Sequence, residues 1–181
     1  MLTARWVAGG FSRTRQWLHW VNGADDGGSR TEDERRGETT MIYFVTGASG
    51  FIGKRLVRTL LARPKTTVHF LMRRPTPERV ARLLDFWGVD ATRAIPVEGD
   101  LTKPALGIGE VETKRLAGKV THVFHLAAIY DLEADPEAEM VANIEGTRNA
   151  VRFAEAIRAK HFHHVSSIAA AGMYDGVFRE D

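Results

Sequence analysis

The chain has 181 residues, 44% hydrophobic and 27% charged, enough for one domain with a real core and too few for two large ones. It contains no cysteine, which excludes a disulfide framework, a thiolate zinc site and a cysteine nucleophile. The net charge is only +2, basic residues are scattered, and no apolar run approaches the ~18 residues of a membrane helix, so nucleic acid and a transmembrane segment are not expected and a cytoplasmic location is.

Residues 1–40 stand apart from the rest. Arg5, Arg13 and Arg15 interrupt the start and make it a poor signal peptide. Phe11 to Val21 suggests a short amphipathic helix with Trp17, Leu18, Trp20 and Val21, suited to a membrane surface or a partner, although a tail without function is the simpler reading. Asn22 to Ser29 and the charged run Arg30 to Glu38 read as linker or disorder. Met41 stands directly before the first clear strand. Residues 1–40 are therefore expected to be a poorly structured extension or an upstream translation artefact, which the intact mass of the native protein would decide.

From Met41 to Asp181 strands and helices alternate as one unit. Ile42–Val45 is a short apolar strand, and behind it Ile52, Leu56 and Leu60, with Val57 and Leu61, recur at helical spacing. Thr67–Met72 forms a second strand. Thr76 is a credible N-cap with Pro77 at the first helical position, and Val80, Leu83, Leu84 and Trp87 line one side of the helix that follows. A third strand at Ala94–Val97, a weaker helix at Val111–Leu116 and a fourth strand at Val120–Leu126 come next. The longest helix begins near Pro136, with Met140, Ile144, Thr147, Val151, Ala154 and Ile157 inward, and Phe162–Ser166 closes the series as a fifth strand. This alternation implies an α/β fold: a doubly wound, Rossmann-type parallel sheet with helices on both faces.

Between the first strand and helix lies Thr46-Gly47-Ala48-Ser49-Gly50-Phe51-Ile52-Gly53. A glycine-rich turn opening a helix directs backbone N–H groups and the positive end of the helix dipole at one place, which favours a phosphate. The spacing is Gly-x-x-Gly-x-x-Gly, so Thr46, Gly47, Ser49, Gly50, Phe51, Ile52 and Gly53 are the expected dinucleotide contacts. In a parallel sheet the ligand lies beyond the carboxyl ends of the strands, where Arg73, Asp100, Ala127 and Ser167 also fall. An NAD site usually places an acid after the second strand; here Met72 is followed by Arg73 and Arg74. Guanidinium pairs with a 2′-phosphate that a carboxylate would repel, so NADPH is the expected cofactor, NADH the less favoured one, with Arg73 the first contact and Arg74 the second.

The combined pattern resembles the extended short-chain dehydrogenase/reductase family. It is carried by Thr46 to Gly53, Gly99-Asp100-Leu101-Thr102, His125-Leu126-Ala127-Ala128, Asn143-Ile144-Glu145-Gly146-Thr147 and Val165-Ser166-Ser167, within a region from Met41 to Asp181. Gly99 to Gly107 further resembles the segment of fatty acyl reductases and thioester-reductase domains. The resemblance implies that Asp100 and Leu101 border the adenine, and that Ala127 and Ala128 give small side chains and backbone to the nicotinamide half. It implies that Asn143 shapes the site and supports a proton relay, and that Ser167, in competition with Ser166, orients a substrate carbonyl. The activity implied is NADPH-dependent reduction of a fatty acyl thioester to aldehyde or alcohol. A nucleotide-sugar epimerase or dehydratase, a hydroxysteroid dehydrogenase, or a catalytically silent NADP-binding module are the alternatives, and a homodimer is left open.

One departure matters. Family chemistry uses a Tyr with a Lys four residues later, whereas Tyr43, Tyr130 and Tyr174 are followed at that distance by Gly47, Ala134 and Phe178. The resemblance puts the missing pair, the last strands and the substrate-covering part after Asp181, so the sheet is expected to be C-terminally incomplete and this chain nearly inactive alone. His122, His125, His161, His163 and His164 invite a metal reading, but no carboxylate or cysteine shares their local spacing; packing roles, and no metal site, are expected.

Overall fold

Strand-forming residues in Met41–Thr46 extend as β2, after an earlier strand β1 at Thr3–Ala8. Alternation along β2 sends Tyr43 and Val45 to one face of the sheet and Phe44 to the other. The computed structural model describes residues 3–8, 40–128, 141–167, 172, 175 and 176. Helix α1 (Phe51–Leu61) follows, then β3 (Thr66–Met72), α2 (Pro77–Trp87), β4 (Ala94–Glu98), a 3₁₀ turn (Pro104–Gly107), α3 (Glu110–Leu116) and β5 (His122–His125). A π turn (Val141–Glu145), α4 (Gly146–Ala156) and β6 (His161–Ser166) complete the described elements.

All five strand pairings are parallel, in the order β1-β6-β5-β2-β3-β4. Without β1 this is the 3-2-1-4-5 arrangement of a doubly wound sheet, whose order reverses between β2 and β5. Two cores follow from the two faces. Tyr43, Val45, Val68 and Phe70 pack with Leu56, Val57, Leu60 and Trp87, burying α1 and α2. On the other face Phe44, Val123 and Phe162 pack with Leu116, Phe153 and Ala154, burying α3 and α4. Local signals set the ends of α2: the Thr76 hydroxyl accepts the Arg79 amide, Pro77 opens the helix, and Gly88 closes it at φ 67°. Among the described residues, no helix is long and apolar enough to cross a membrane.

Three expectations need correction. Thr3–Ala8, inside the segment expected to be poorly structured, pairs with β6 from Thr3 opposite His161 to Ala8 opposite Ser166. Its partner is the open edge of β6, which supplies backbone hydrogen bonds that no pattern within six residues reveals. The remaining features of that segment, including Phe11 to Val21, lie outside the described residues. The longest helix is not uniform, because the π turn precedes α4; its expected start near Pro136 and Met140 lies outside the described residues. A π turn changes the helical phase, so Ile144, expected inward, is 51% exposed. Ile52 is expected on the buried stripe as well, yet it lies in the first turn of α1 and is 40% exposed.

Candidate functional site

Because the strands are parallel, the segments following β2, β3, β4, β5 and β6 emerge on one rim. At the crossover point Gly47 turns the chain with φ +74°, a conformation a side chain resists. A Cβ there would lie 2.7 Å from the Ala127 amide nitrogen, so the loop after β2 rests directly on the backbone after β5. Gly53, in the first turn of α1, admits the loop to the helix: a Cβ would sit 2.0 Å from the Gly47 carbonyl oxygen. The Gly50 amide donates to that same oxygen at 3.0 Å.

Gly50 is the N-cap of α1, no side chain caps the helix, and its first turn holds no acid. Its leading amides and positive dipole end therefore face the rim without a competing carboxylate. Ser49, Gly50, Phe51 and Ile52 are exposed around them. A loop that two glycines let pack tightly against its neighbours, opening on an uncapped helix start, makes a cradle that fits a dinucleotide pyrophosphate.

The neighbouring strand ends add polar groups. Arg73 and Arg74 are exposed after β3. The Arg74 carbonyl accepts from the Arg79 guanidinium at 3.0 Å and from the Thr76 amide at 3.0 Å, so Arg74 also shapes the start of α2. Asp100, half-buried after β4, accepts the Thr102 amide at 2.9 Å and its hydroxyl at 2.8 Å. The amide bond from Thr102 is the main force holding this carboxyl below its ordinary range, helped by the Thr102 hydroxyl and the cations of Arg73 and Lys103. A search for an acid immediately after β3 misses this one, since the β3–β4 register sets Met72 opposite Glu98 and brings Asp100 into the field of Arg73.

On the other side of the crevice, Thr46 Oγ1 accepts the Ala127 amide at 3.3 Å and lies 2.7 Å from His125 Nδ1. His125 Nε2 lies 3.2 Å from Thr147 Oγ1, whose hydroxyl donates to the Asn143 carbonyl at 2.7 Å. Asn143 is thus joined to the rim through three side chains. His125 is buried, and burial, with the neighbouring His164, lowers its pKa to about 4. Asn149 Nδ2 donates to the Leu101 carbonyl at 2.9 Å, which pins α4 to the loop after β4. Ala128 and Ser167 are exposed just past β5 and β6. In the sequence His125 stands out only within a motif and a histidine cluster; its position at the end of a strand, two residues before Ala127, is the available signal for its place in this series. Among the described residues no group of three His, Asp or Glu is arranged to hold a metal.

The family described as "Male sterility protein", an NAD-binding family, matches residues 45–181. The chain is 35% identical over 144 residues to the non-canonical nonribosomal peptide synthetase FrzA of a Cladobotryum species, covering 75% of this chain and 14% of that one. It is 34% identical over 151 residues to the L-2-aminoadipate reductase large subunit of Penicillium chrysogenum, covering 78% and 11% respectively. Among solved structures it is similar to the terminal R domain from the myxalamid PKS-NRPS biosynthetic pathway, with TM-score 0.67, 28% identity, and coverage of 80% of this chain and 39% of that one. The chain therefore spans only a small part of the curated relatives it matches.

Proposed function

Since the chain belongs to this NAD-binding male sterility protein family, a reductase-like branch of the extended short-chain dehydrogenases/reductases, we propose that it is the cofactor-holding part of an NADPH-dependent reductase acting on an acyl thioester. One observation carries the cofactor reading: Gly47 and Gly53 let the loop after β2 pack onto the backbone after β5 and onto the first turn of α1, which sets the uncapped start of α1 on the rim. The Thr46 to Gly53 segment holds the pyrophosphate, and Asp100 and Leu101 border the adenine. Arg73, with Arg74 behind it, takes the 2′-phosphate, its side chain exposed after β3.

The thioester part rests on the likeness of Gly99 to Gly107 to thioester-reductase segments and on relatives named as a peptide synthetase, a reductase and an assembly-line R domain. In this reading Ala127 and Ala128 leave room for the nicotinamide, and the Ser167 hydroxyl donates to the substrate carbonyl as negative charge develops there. Asn143 orders the groups between them.

Calorimetric titration of the 181-residue chain with NADPH and NADH tests the cofactor reading. NADPH should bind more tightly, and Arg73→Ala should remove most of the difference, about tenfold for one charge-assisted contact. Equal affinity for both cofactors before and after the substitution refutes the 2′-phosphate assignment, and a flat isotherm from folded protein refutes the cradle.

A further inference from the structure

We propose that His125 is a positioning residue, which through Thr147 fixes the π turn and the Asn143 carbonyl against the dinucleotide rim. The donor and acceptor roles along this chain of contacts leave one arrangement. The Asn143 carbonyl can only accept, so Thr147 spends its single hydroxyl proton on it across 2.7 Å. Thr147 Oγ1 is then an acceptor toward His125, and Nε2 must carry the hydrogen across 3.2 Å. A ring buried to 1% exposure, with its pKa lowered to about 4, is neutral at pH 7, so Nδ1 holds a lone pair. That lone pair receives the Thr46 hydroxyl at 2.7 Å. At the far end the Ala127 amide, which can only donate, closes on Thr46 Oγ1. Each hydrogen in the series is donated once, and each of the two hydroxyl oxygens both donates and accepts, in the directions their chemistry allows.

The mechanical consequence concerns the helix. In a π turn the backbone ladder runs from i to i+5, which sets a carbonyl out of line with the amide four residues on. The Thr147 hydroxyl reaches the Asn143 carbonyl in that place, an i−4 contact of the kind that bends helices. Left alone, that hydroxyl could rotate; His125 Nε2–H holds its oxygen from the other side. α4 is also secured at Asn149 to the Leu101 carbonyl, and Gly146 approaches Leu101 so closely that an added Cβ would lie 3.3 Å from the Leu101 Cβ. The helix bearing Asn143 is thus fastened at both strand ends proposed to flank the cofactor. What Asn143 is positioned for rests on the reductase reading; that it is positioned does not.

Nitrogen-15 and carbon-13 NMR of the 181-residue chain without cofactor tests this. His125 should show the neutral Nε2–H tautomer at pH 7, and the Nδ1–H tautomer or imidazolium overturns the proposal. Thr147→Val, which keeps the side-chain shape, should shift the Asn143 carbonyl and amide resonances and leave those of Gly50 to Gly53 in place, while Thr147→Ser should restore them. Asn143 resonances unmoved by Thr147→Val, or unrestored by Thr147→Ser, overturn it as well. The tautomer measurement needs no variant and decides the matter if Thr147→Val fails to fold. A subsequent NADPH titration separates the two readings: no binding by the wild-type chain defeats the proposed function and leaves the NMR result on His125 standing.

Discussion

Replacing Gly53 with alanine isolates the geometry on which the cradle depends. Inside an exposed helix this substitution normally stabilises by about 1 kcal/mol, because alanine loses less backbone entropy. Here the added Cβ would lie 2.0 Å from the Gly47 oxygen, 2.8 Å from the Gly47 carbonyl carbon and 2.9 Å from the Ala48 Cα, against an ordinary contact of 3.4 Å or more. All three atoms are backbone, so no rotamer change relieves the overlap. The first turn of α1 must move away from the loop by roughly 1 Å, at a cost on the order of 1–3 kcal/mol, typical of overpacking. The net expectation is a loss of up to about 2 kcal/mol in a urea denaturation, where propensity alone would give a gain of about 1 kcal/mol. Parting of loop and helix also misaligns the amides aimed at the phosphates. Loss of one charge-assisted bond of about 1.5–3 kcal/mol weakens NADPH binding by roughly 10- to 100-fold in calorimetry. Gly109→Ala, where an added Cβ meets nothing within 4 Å, is the control and should leave affinity unchanged. A Gly53→Ala protein as stable as wild type, binding NADPH equally well, refutes the cradle.

Acid should weaken the fold through its histidines. His69, His122 and His125 each have pKa values lowered to about 4, burial being the main cause, against 6.5 when unfolded. The unfolded chain therefore binds more protons between pH 6.5 and 4, so stability is complete above that window and is lost as pH falls through it. For fully buried His125 alone the loss is on the order of 3 kcal/mol, and a urea midpoint that stays constant from pH 7 to 5 contradicts it. Deleting residues 1–8 should uncover the outer edge of β6 and lower the melting temperature with concentration-dependent association; unchanged melting and a monomer by light scattering would show that β1 contributes nothing. The 181-residue chain carries no Tyr with Lys four residues on, so its thioester turnover should be about 10²- to 10⁴-fold below that of a reductase with a positioned general acid, and brisk NADPH oxidation would contradict this.

How far the sequence is legible depends on how far apart the causes of each feature lie. The glycine turn is readable because strand, turn and helix are contiguous, and each supplies its own local signal. The common rim is readable for a related reason: once all strands are parallel, every residue after a strand shares an edge, whatever the loops do. Position in the helix is less secure. Ile144 and Ile52 fit the 3.6-residue pattern, yet a π turn shifts the phase for one and the other falls in the exposed first turn of its helix, and neither event leaves a mark on local periodicity. β1 is invisible for a different reason, since its stability comes from β6, at the other end of the described chain. His125 shows the limit most clearly. A histidine in an apolar strand is compatible with packing, a ligand role or a proton relay, and only Thr46, Thr147 and Asn143 choose among these by consuming its two nitrogens in a fixed order. The information is present in the sequence, but it is distributed over four elements and becomes a statement about chemistry only when folding sets them within hydrogen-bond reach. For that reason the glycine cradle and the His125 series differ in kind: the first is a local solution open to any Rossmann-type chain, the second depends on contacts between distant elements, and a substitution at Thr147 tests the fold's influence on the site more directly than any change in the loop.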